Sequence, residues 1–138
     1  PLSSRGKNDG PMMSAYLCSR IDKIDFLHCS SSVRTYETSK FFIDRIRFID
    51  IKYDESLYHS YSPEIINNIK NYDEKYNSAM IIAHNPGLTN LINEISNTVL
   101  DNLPTTGLVE INFDCATWLD ISLDNSTIVD IKFPKQLK

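Results

Sequence analysis

Cross-linking residues are scarce in this chain. Its 138 residues include only three cysteines, Cys18, Cys29 and Cys115, which are odd in number and far apart. Their spacing matches no metal-ligand pattern, so we expect neither a disulfide nor a metal site, and no cofactor. Reduced, largely buried thiols are typical of a reducing compartment, and we therefore expect the protein in the cytoplasm.

Long hydrophobic runs and an excess of positive charge are also missing. No segment is long enough to span a bilayer, and the formal net charge is −4 at pH 7. Nucleic acids and anionic membranes attract proteins with a basic face, so we expect neither of them as a partner. A small cationic pocket around a phosphate is compatible with this net charge.

The composition is otherwise that of an ordinary soluble globular protein, with 41% hydrophobic and 23% charged residues. A chain of this length buries roughly two-thirds of the surface that its unfolded state exposes. We therefore expect one domain over residues 1–138. The many Asn, Ile and Lys residues point to an AT-rich bacterial genome.

Strand-like and helical patterns alternate along the chain. The predicted helices span residues 11–21, 33–45, 62–72 and 86–99, after a polar loop at 1–10. The predicted strands span residues 25–29, 48–53, 80–83, 108–113, 118–123 and 127–133, and the last two form a hairpin around Asp124-Asn125-Ser126. This alternation predicts an α/β fold with three layers, α/β/α, in which a mainly parallel sheet carries an antiparallel C-terminal edge hairpin.

Two predicted strand-to-helix corners carry residues suited to phosphate. One strand leads to His84, followed by a Pro-Gly turn and a helix, and another leads through serines to Arg34. In an open α/β sheet, ligands bind in the crevice at the carboxyl ends of the strands. An imidazole and a guanidinium at that edge predict a phosphate site.

Arg34 is the strongest candidate for gripping the phosphate. Its planar, permanently charged guanidinium can hold two oxygens at once. A position in the first turn of a helix adds backbone N–H groups that point the same way. The alternative is a surface ion pair with Glu37 or Asp44.

We expect four further residues to line this phosphate site. His84 would act as a second donor to the transferring group. Ser30 would position Arg34 or touch phosphate, or alternatively cap the helix. Asn85 would buttress the turn beside the phosphate, and Thr106, with Thr105, would close one wall of the site.

We expect the two other histidines, Arg5 and Thr38 to lie outside the phosphate contacts. His28 lies inside a strand, where we expect a packing role. His59 lies in a polar loop, and we expect a solvated surface residue or a lining of a shallow entrance. Arg5 is expected to be a solvated loop residue, and Thr38 is expected to pack under the site.

Taken in order, these motifs resemble those of the SixA-type phosphohistidine phosphatases, a branch of the histidine phosphatase (phosphoglycerate-mutase-like) superfamily. The matching segments are Ser30-x-x-x-Arg34-x-x-x-Thr38, His84-Asn85-Pro86-Gly87-Leu88-Thr89, Pro104-Thr105-Thr106-Gly107 and Pro1-Leu2-Ser3-Ser4-Arg5-Gly6. The resemblance implies a metal-independent phosphatase that forms a phosphohistidine intermediate, with a histidine-phosphorylated protein as substrate.

The chain also departs from the family pattern. Family members open with a strand that ends in an Arg-His pair, and that histidine takes the phosphoryl group. This sequence contains no Arg-His pair. The resemblance places the missing strand before Pro1, in the middle of the sheet, and its loss would leave two neighbouring strand edges unpaired. We therefore expect the nucleophile upstream of Pro1, and no covalent turnover by these 138 residues alone.

A general acid is harder to assign. Many relatives use a carboxylic acid to protonate the leaving oxygen, and the candidate here is Glu55, just after the strand at 48–53. A protonated imidazole leaves with a pKa near 6.5 and needs such an acid much less than an alkoxide does. This favours an N–P substrate. The alternatives are a non-catalytic phosphate-binding regulatory module and a phosphatase for small phosphate esters.

Overall fold

Helices and strands alternate through the first two-thirds of the chain. A computed structural model describes all residues from 1 to 138. The helices are α1 (Ser4–Arg20), α2 (Val33–Ile43), α3 (Ser62–Lys70) and α4 (Gly87–Ile95). The strands are β1 (Lys23–Ser30), β2 (Arg47–Asp54), β3 (Ala79–Ile82), β4 (Leu108–Phe113) and β5 (Ser126–Lys132). None of the helices combines the length and the apolar character that a membrane span requires.

The first three strands form a parallel sheet in the order β2-β1-β3. In its register Leu27 of β1 lies opposite Ile51 on one side and Met80 on the other. The last two strands form a separate antiparallel pair, β4-β5, with an irregularity between Glu110 and Ile111. The predicted α/β class, with a mainly parallel sheet and an antiparallel C-terminal hairpin, is confirmed.

Apolar clusters on the two faces of the sheet hold the helices in place. Helices α1 and α2 pack together on one face, and α3 and α4 pack together on the other. The buried residues of the first cluster are Met13, Leu17, Ile24, Phe42 and Ile46. Those of the second are Leu57, Ile65, Ile69, Leu91, Ile95 and Ile121. The helices thus form the two outer layers of the three-layer arrangement.

A cavity separates the two sheets. Strand β3 pairs only with β1 and strand β4 pairs only with β5, so each presents an unpaired edge. The cavity between them measures about 690 Å³ and is lined mostly by apolar side chains, among them Met80, Ile81, Leu108 and Ile111. Because both clusters also include partly buried residues of β3 and β4, side-chain packing joins the sheets where backbone hydrogen bonds do not.

The prediction of a loop at residues 1–10 is wrong, because α1 begins at Ser4. The side chain of Ser3 caps this helix by accepting a hydrogen bond from the Gly6 amide at 3.1 Å. A Cβ atom at Gly10 would overlap the ring of Phe41 in α2. Gly10 therefore serves close helix packing, although glycine and the following Pro11 are typical of loops.

The predicted strand at 118–123 is also wrong. Two short 3-10 turns, Trp118–Asp120 and Leu123–Asn125, occupy this region, and β5 pairs with β4 instead. The Asn125 side chain donates to the Asp120 carbonyl at 2.8 Å and accepts from the Ser122 amide at 3.0 Å. Such local side-chain bonds compete with strand pairing.

The fourth helix ends earlier than its apolar spacing predicts. It stops at Ile95, and Val99 is 88% exposed. The Asn93 side chain bonds both the amide and the carbonyl of Leu100, at 2.8 and 2.9 Å, which folds the chain back. The other elements agree with their predicted bounds to within two residues.

The close approach of α1 and α2 makes Gly10 sensitive to added volume. We expect Gly10→Ala to lower the free energy of unfolding by about 1–3 kcal/mol, because the new methyl group forces Phe41 to move. Urea unfolding followed by circular dichroism measures the change. The control is Asn8→Ala on the exposed face of α1, which we expect to be neutral or mildly stabilising. A Gly10→Ala protein as stable as the Asn8→Ala protein would contradict this account.

Candidate functional site

The carboxyl ends of β1 and β3 bring two candidate residues into contact. Ser30 is the last residue of β1 and is fully buried. His84 follows β3 by two residues, and its Nε2 lies 2.8 Å from the Ser30 Oγ. The parallel register pairs Cys29 with Ile82, so the residues that follow each strand emerge side by side. Residues 54 positions apart thus share one hydrogen bond.

Ser30 is available for this contact because a different serine caps α2. The side chain of Ser32 is the N-cap and accepts from the Thr35 amide at 3.3 Å. The alternative of Ser30 as helix cap is therefore wrong. The Thr35 hydroxyl donates to the Ser30 carbonyl at 2.7 Å and so ties the start of α2 to the end of β1.

Arg34 is an exposed cation without an acidic partner. It is the second residue of α2, and no carboxylate lies within 4.0 Å of its guanidinium. The alternative of an ion pair with Glu37 or Asp44 is therefore wrong. A Glu37 carboxylate oxygen instead accepts from the Leu2 amide at 3.1 Å. The five N–H donors of the guanidinium remain free for an anion.

The surroundings of the His84 imidazole favour its neutral form. Partial burial lowers its pKa, and the positive charges of His59 and Arg34 lower it further. Arg34 is thus near enough for its charge to act on His84. An anion bound among these groups would offset the repulsion and favour the charged imidazole.

A third histidine lies beside this pair. After β2, a 3-10 turn at Glu55–Leu57 leads to Tyr58 and His59. The ring of Tyr58 packs against both imidazoles, with centroids 4.3 Å from His59 and 5.3 Å from His84. His59 is exposed, as expected, yet it borders the site. The sequence indicates this location through the place of His59 just beyond a parallel strand. All parallel strands of a sheet end at one edge, where ligands bind.

Asn85 fastens the turn after β3 to the following loop. Its Nδ2 donates to the Leu103 carbonyl at 2.7 Å. Its Oδ1 accepts from the Thr89 amide and hydroxyl at 3.2 and 2.8 Å. These bonds match the expected buttressing, whereas a direct contact between Asn85 and phosphate stays a prediction.

Thr106 and Glu55 lie on two loops with different exposure. Thr106 is half-buried and has a left-handed backbone, with φ 61°, which is unusual for a β-branched residue. Its hydroxyl donates to the Thr105 carbonyl at 2.7 Å. Glu55 is exposed, begins the turn that leads to His59 and forms no ion pair. The phosphate contact of Thr106 and the acid role of Glu55 stay predictions.

A chain of hydrogen bonds around the buried His28 supports the loop that carries His59. His28 Nδ1 lies 2.6 Å from the Tyr72 hydroxyl, and its Nε2 lies 2.7 Å from Asp54 Oδ2. Asp54 Oδ1 in turn accepts from the Ser56 amide at 2.9 Å. Burial lowers the pKa of His28 and outweighs the attraction of Asp54. The neutral ring then donates from Nε2 to Asp54 and accepts at Nδ1 from Tyr72.

Two predicted structural residues have further contacts. Arg5 is not in a loop but in α1, where its Nε lies 3.6 Å from the buried carboxylate of Asp9. The Thr38 hydroxyl donates to the Arg34 carbonyl at 3.0 Å within α2.

The cysteines lie apart from one another as free thiols. Burial raises the pKa of the Cys29 thiol to about 12, so it stays protonated at neutral pH. No three His, Cys, Asp or Glu side chains come close enough together to hold a metal ion.

Comparisons with known proteins identify the architecture. No family model matches the chain, and no curated protein matches it in sequence. Several solved structures do match in shape. A candidate phosphohistidine phosphatase SixA from Nakamurella multipartitia has a TM-score of 0.83 at 14% identity, over 97% of this chain and 84% of that one.

The second structure is the protein histidine phosphatase SixA complexed with tungstate, with a TM-score of 0.82 at 18% identity, over 100% of this chain and 86% of that one. The third, a candidate phosphohistidine phosphatase SixA from Agrobacterium tumefaciens, has a TM-score of 0.77 at 19% identity, over 96% and 86%. The chain has the SixA-type fold. This fold agrees with the resemblance that the sequence motifs carry.

The hydrogen-bonded His28 predicts that stability depends on pH. The folded state lowers the pKa of His28, so below about pH 6.5 the unfolded chain binds the proton more readily. We therefore expect the free energy of unfolding to fall between about pH 7.5 and about pH 5.5. His84, whose pKa is also lowered, contributes a loss in the same direction.

The variant His28→Gln separates the two contributions. We expect it to lose about 1–3 kcal/mol at the higher pH, because buried hydrogen bonds to Asp54 and Tyr72 are broken. We also expect a smaller further loss on acidification than in the unaltered protein, measured by urea unfolding at both pH values. Equal losses on acidification in the two proteins would show that His28 does not carry the effect.

Proposed function

We propose that this chain belongs to a phosphatase that removes a phosphoryl group from phosphohistidine on a protein, through a phosphohistidine enzyme intermediate. One observation carries the proposal: Ser30 and His84 meet at the carboxyl ends of parallel strands, and the unpaired Arg34 lies in the first turn of the helix that follows β1. The SixA-type fold supports it, because one structural neighbour is a protein histidine phosphatase that holds tungstate, a tetrahedral oxyanion.

The proposed chemistry uses the charges of the site. Phosphoryl transfer needs the charge on the phosphate oxygens neutralised while the attacking and leaving atoms stay in line. Arg34 would grip two of these oxygens through its guanidinium fork. His84 would donate to a third oxygen, while the Ser30 hydroxyl holds its ring in orientation.

The nucleophile would come from outside the 138 residues, which contain no Arg-His pair. We place it on a strand upstream of Pro1 that occupies the cavity between β3 and β4. The unpaired edges of both strands and the mostly apolar lining of the cavity support this placement. A strand parallel to β3 would end beside His84, because parallel strands share one carboxyl edge.

Anion binding tests the site without requiring turnover. We expect the chain to bind tungstate at about pH 8, and Arg34→Ala to weaken the affinity at least about tenfold through loss of charge-assisted hydrogen bonds. The control is Arg47→Ala, which removes the same charge at the opposite end of β2. Isothermal titration calorimetry measures the affinities. Equal effects of the two substitutions, or no binding at millimolar tungstate, would contradict the assignment.

Turnover tests the reaction itself. We expect the full-length protein, with its upstream segment, to dephosphorylate a phosphohistidine protein, and His84→Ala to lose most of this activity. The 138 residues alone should take up no labelled phosphate. Inactivity of the full-length protein on phosphohistidine would instead favour the non-catalytic phosphate-binding module.

The exposed Glu55 distinguishes the third possibility. A phosphatase for small phosphate esters needs an acid for its alkoxide leaving group, and Glu55 begins the loop beside the site. In such an enzyme Glu55→Gln would lower turnover of alkyl phosphates. For the proposed phosphohistidine phosphatase we expect this substitution to leave turnover of phosphohistidine nearly unchanged.

A further inference from the structure

The loop between β2 and α3 holds His59 in a fixed place. At its start, Asp54 accepts hydrogen bonds from the buried His28 and from the Ser56 amide. At its end, Ser60 is buried and its hydroxyl donates to the Leu57 carbonyl at 3.1 Å. The start of the loop is therefore tied to β1 through His28, and its end is buried.

A close backbone contact joins this loop to the His84 turn. A Cβ atom at Gly87, the first residue of α4, would collide with the carbonyl oxygen of Ser60. Only glycine lets the two segments approach so closely. The residue after His59 thus lies against the backbone three positions after His84, which fixes the loop relative to the phosphate site.

The backbone of His59 is strained. Its φ of 61° lies in the left-handed region, which is uncommon for residues other than glycine. Strained residues of this kind persist where the surrounding structure holds them, and they cluster at functional sites. In this conformation the exposed imidazole lies against the Tyr58 ring, whose other aromatic contact is His84.

No acidic side chain neutralises His59. It forms no ion pair, and the titratable group that faces it from the β3 side is the imidazole of His84. The group on the α2 side is Arg34. The nearest carboxylates along its own chain segment are Glu55, which is exposed, and Glu64, which accepts from the Tyr61 amide at 3.0 Å. A protonated His59 would therefore add to a cluster of positive charge.

We propose that His59 is a third cationic contact of the bound oxyanion, beside Arg34 and His84. The proposal rests on the proposed phosphate site and adds a residue that none of the site motifs contains. Its consequence is oxyanion affinity that increases as the pH falls, because the protonated imidazole attracts the anion and the neutral imidazole does so only weakly.

Sulfate is the probe for this proposal, because it remains a tetrahedral dianion throughout the pH range in which histidine titrates. The informative variant is His59→Asn, since asparagine also tolerates the left-handed backbone but carries no charge. The variant His59→Gly removes the strain as well as the imidazole. Together they separate a role of the charge from a role of the backbone.

We expect the unaltered chain to bind sulfate more tightly at about pH 6 than at about pH 8. At the lower pH, His59→Asn and His59→Gly should both lose about tenfold in affinity, and at the higher pH they should stay within about twofold. In addition, the NMR titration of His84 should shift to higher pH in both variants, because one repelling charge is gone.

Three results would overturn the proposal. The first is sulfate affinity in His59→Asn equal to that of the unaltered chain at both pH values. The second is an equal loss at both pH values, which would indicate a structural role. The third is a loss in His59→Asn that His59→Gly does not share, which would indicate a role of the backbone.

The control Arg34→Ala keeps this test separate from the proposed function. If Arg34→Ala abolishes sulfate binding while the His59 variants bind normally, the result supports the phosphate site and contradicts the proposed role of His59. If no protein binds sulfate at either pH, the phosphate site itself is contradicted.

Discussion

The hydrogen bond between Ser30 and His84 depends on the register in which β1 and β3 pair. That register aligns Cys29 with Ile82, so the residues just beyond each strand meet at one edge of the sheet. A slip by one residue would turn every side chain of the strand to the opposite face. Leu27 of β1 is fully buried, and Ile24 of β1 belongs to the apolar cluster under α1 and α2, so the packing that fixes this register holds the site as well as the fold.

A second set of constraints acts on the loop beside the site. The His28 ring bonds the Asp54 carboxylate at the start of the loop, and the absence of a side chain at Gly87 lets the Ser60 carbonyl pack against α4. Stability and site geometry are thus linked, because the hydrogen bonds of His28 with Tyr72 and Asp54 both stabilise the core and position the loop that carries His59. The two unusual left-handed residues, His59 and Thr106, both lie on loops that follow or precede strands of the sheet rather than in the core.

Local patterns predicted most of this fold. The apolar run before His84 predicted β3 within one residue, and the Ser-Pro-Glu start of α3 was placed at its observed first residue. Prediction was wrong at two places for different reasons. At Gly10 a contact with the distant Phe41 makes use of a glycine inside α1, whereas around Asn125 local side-chain bonds replace a strand by turns.

The sequence by itself determined the alternation of helices and strands and the residue types suited to a phosphate, because periodicity and turn chemistry depend on near neighbours. Only the tertiary structure decided which of those residues meet. It placed Ser30 against His84, engaged Glu37 with the Leu2 amide and brought His59 and His84 to the same Tyr58 ring. These outcomes depend on strand register and helix packing between segments far apart in the chain, which no local pattern records.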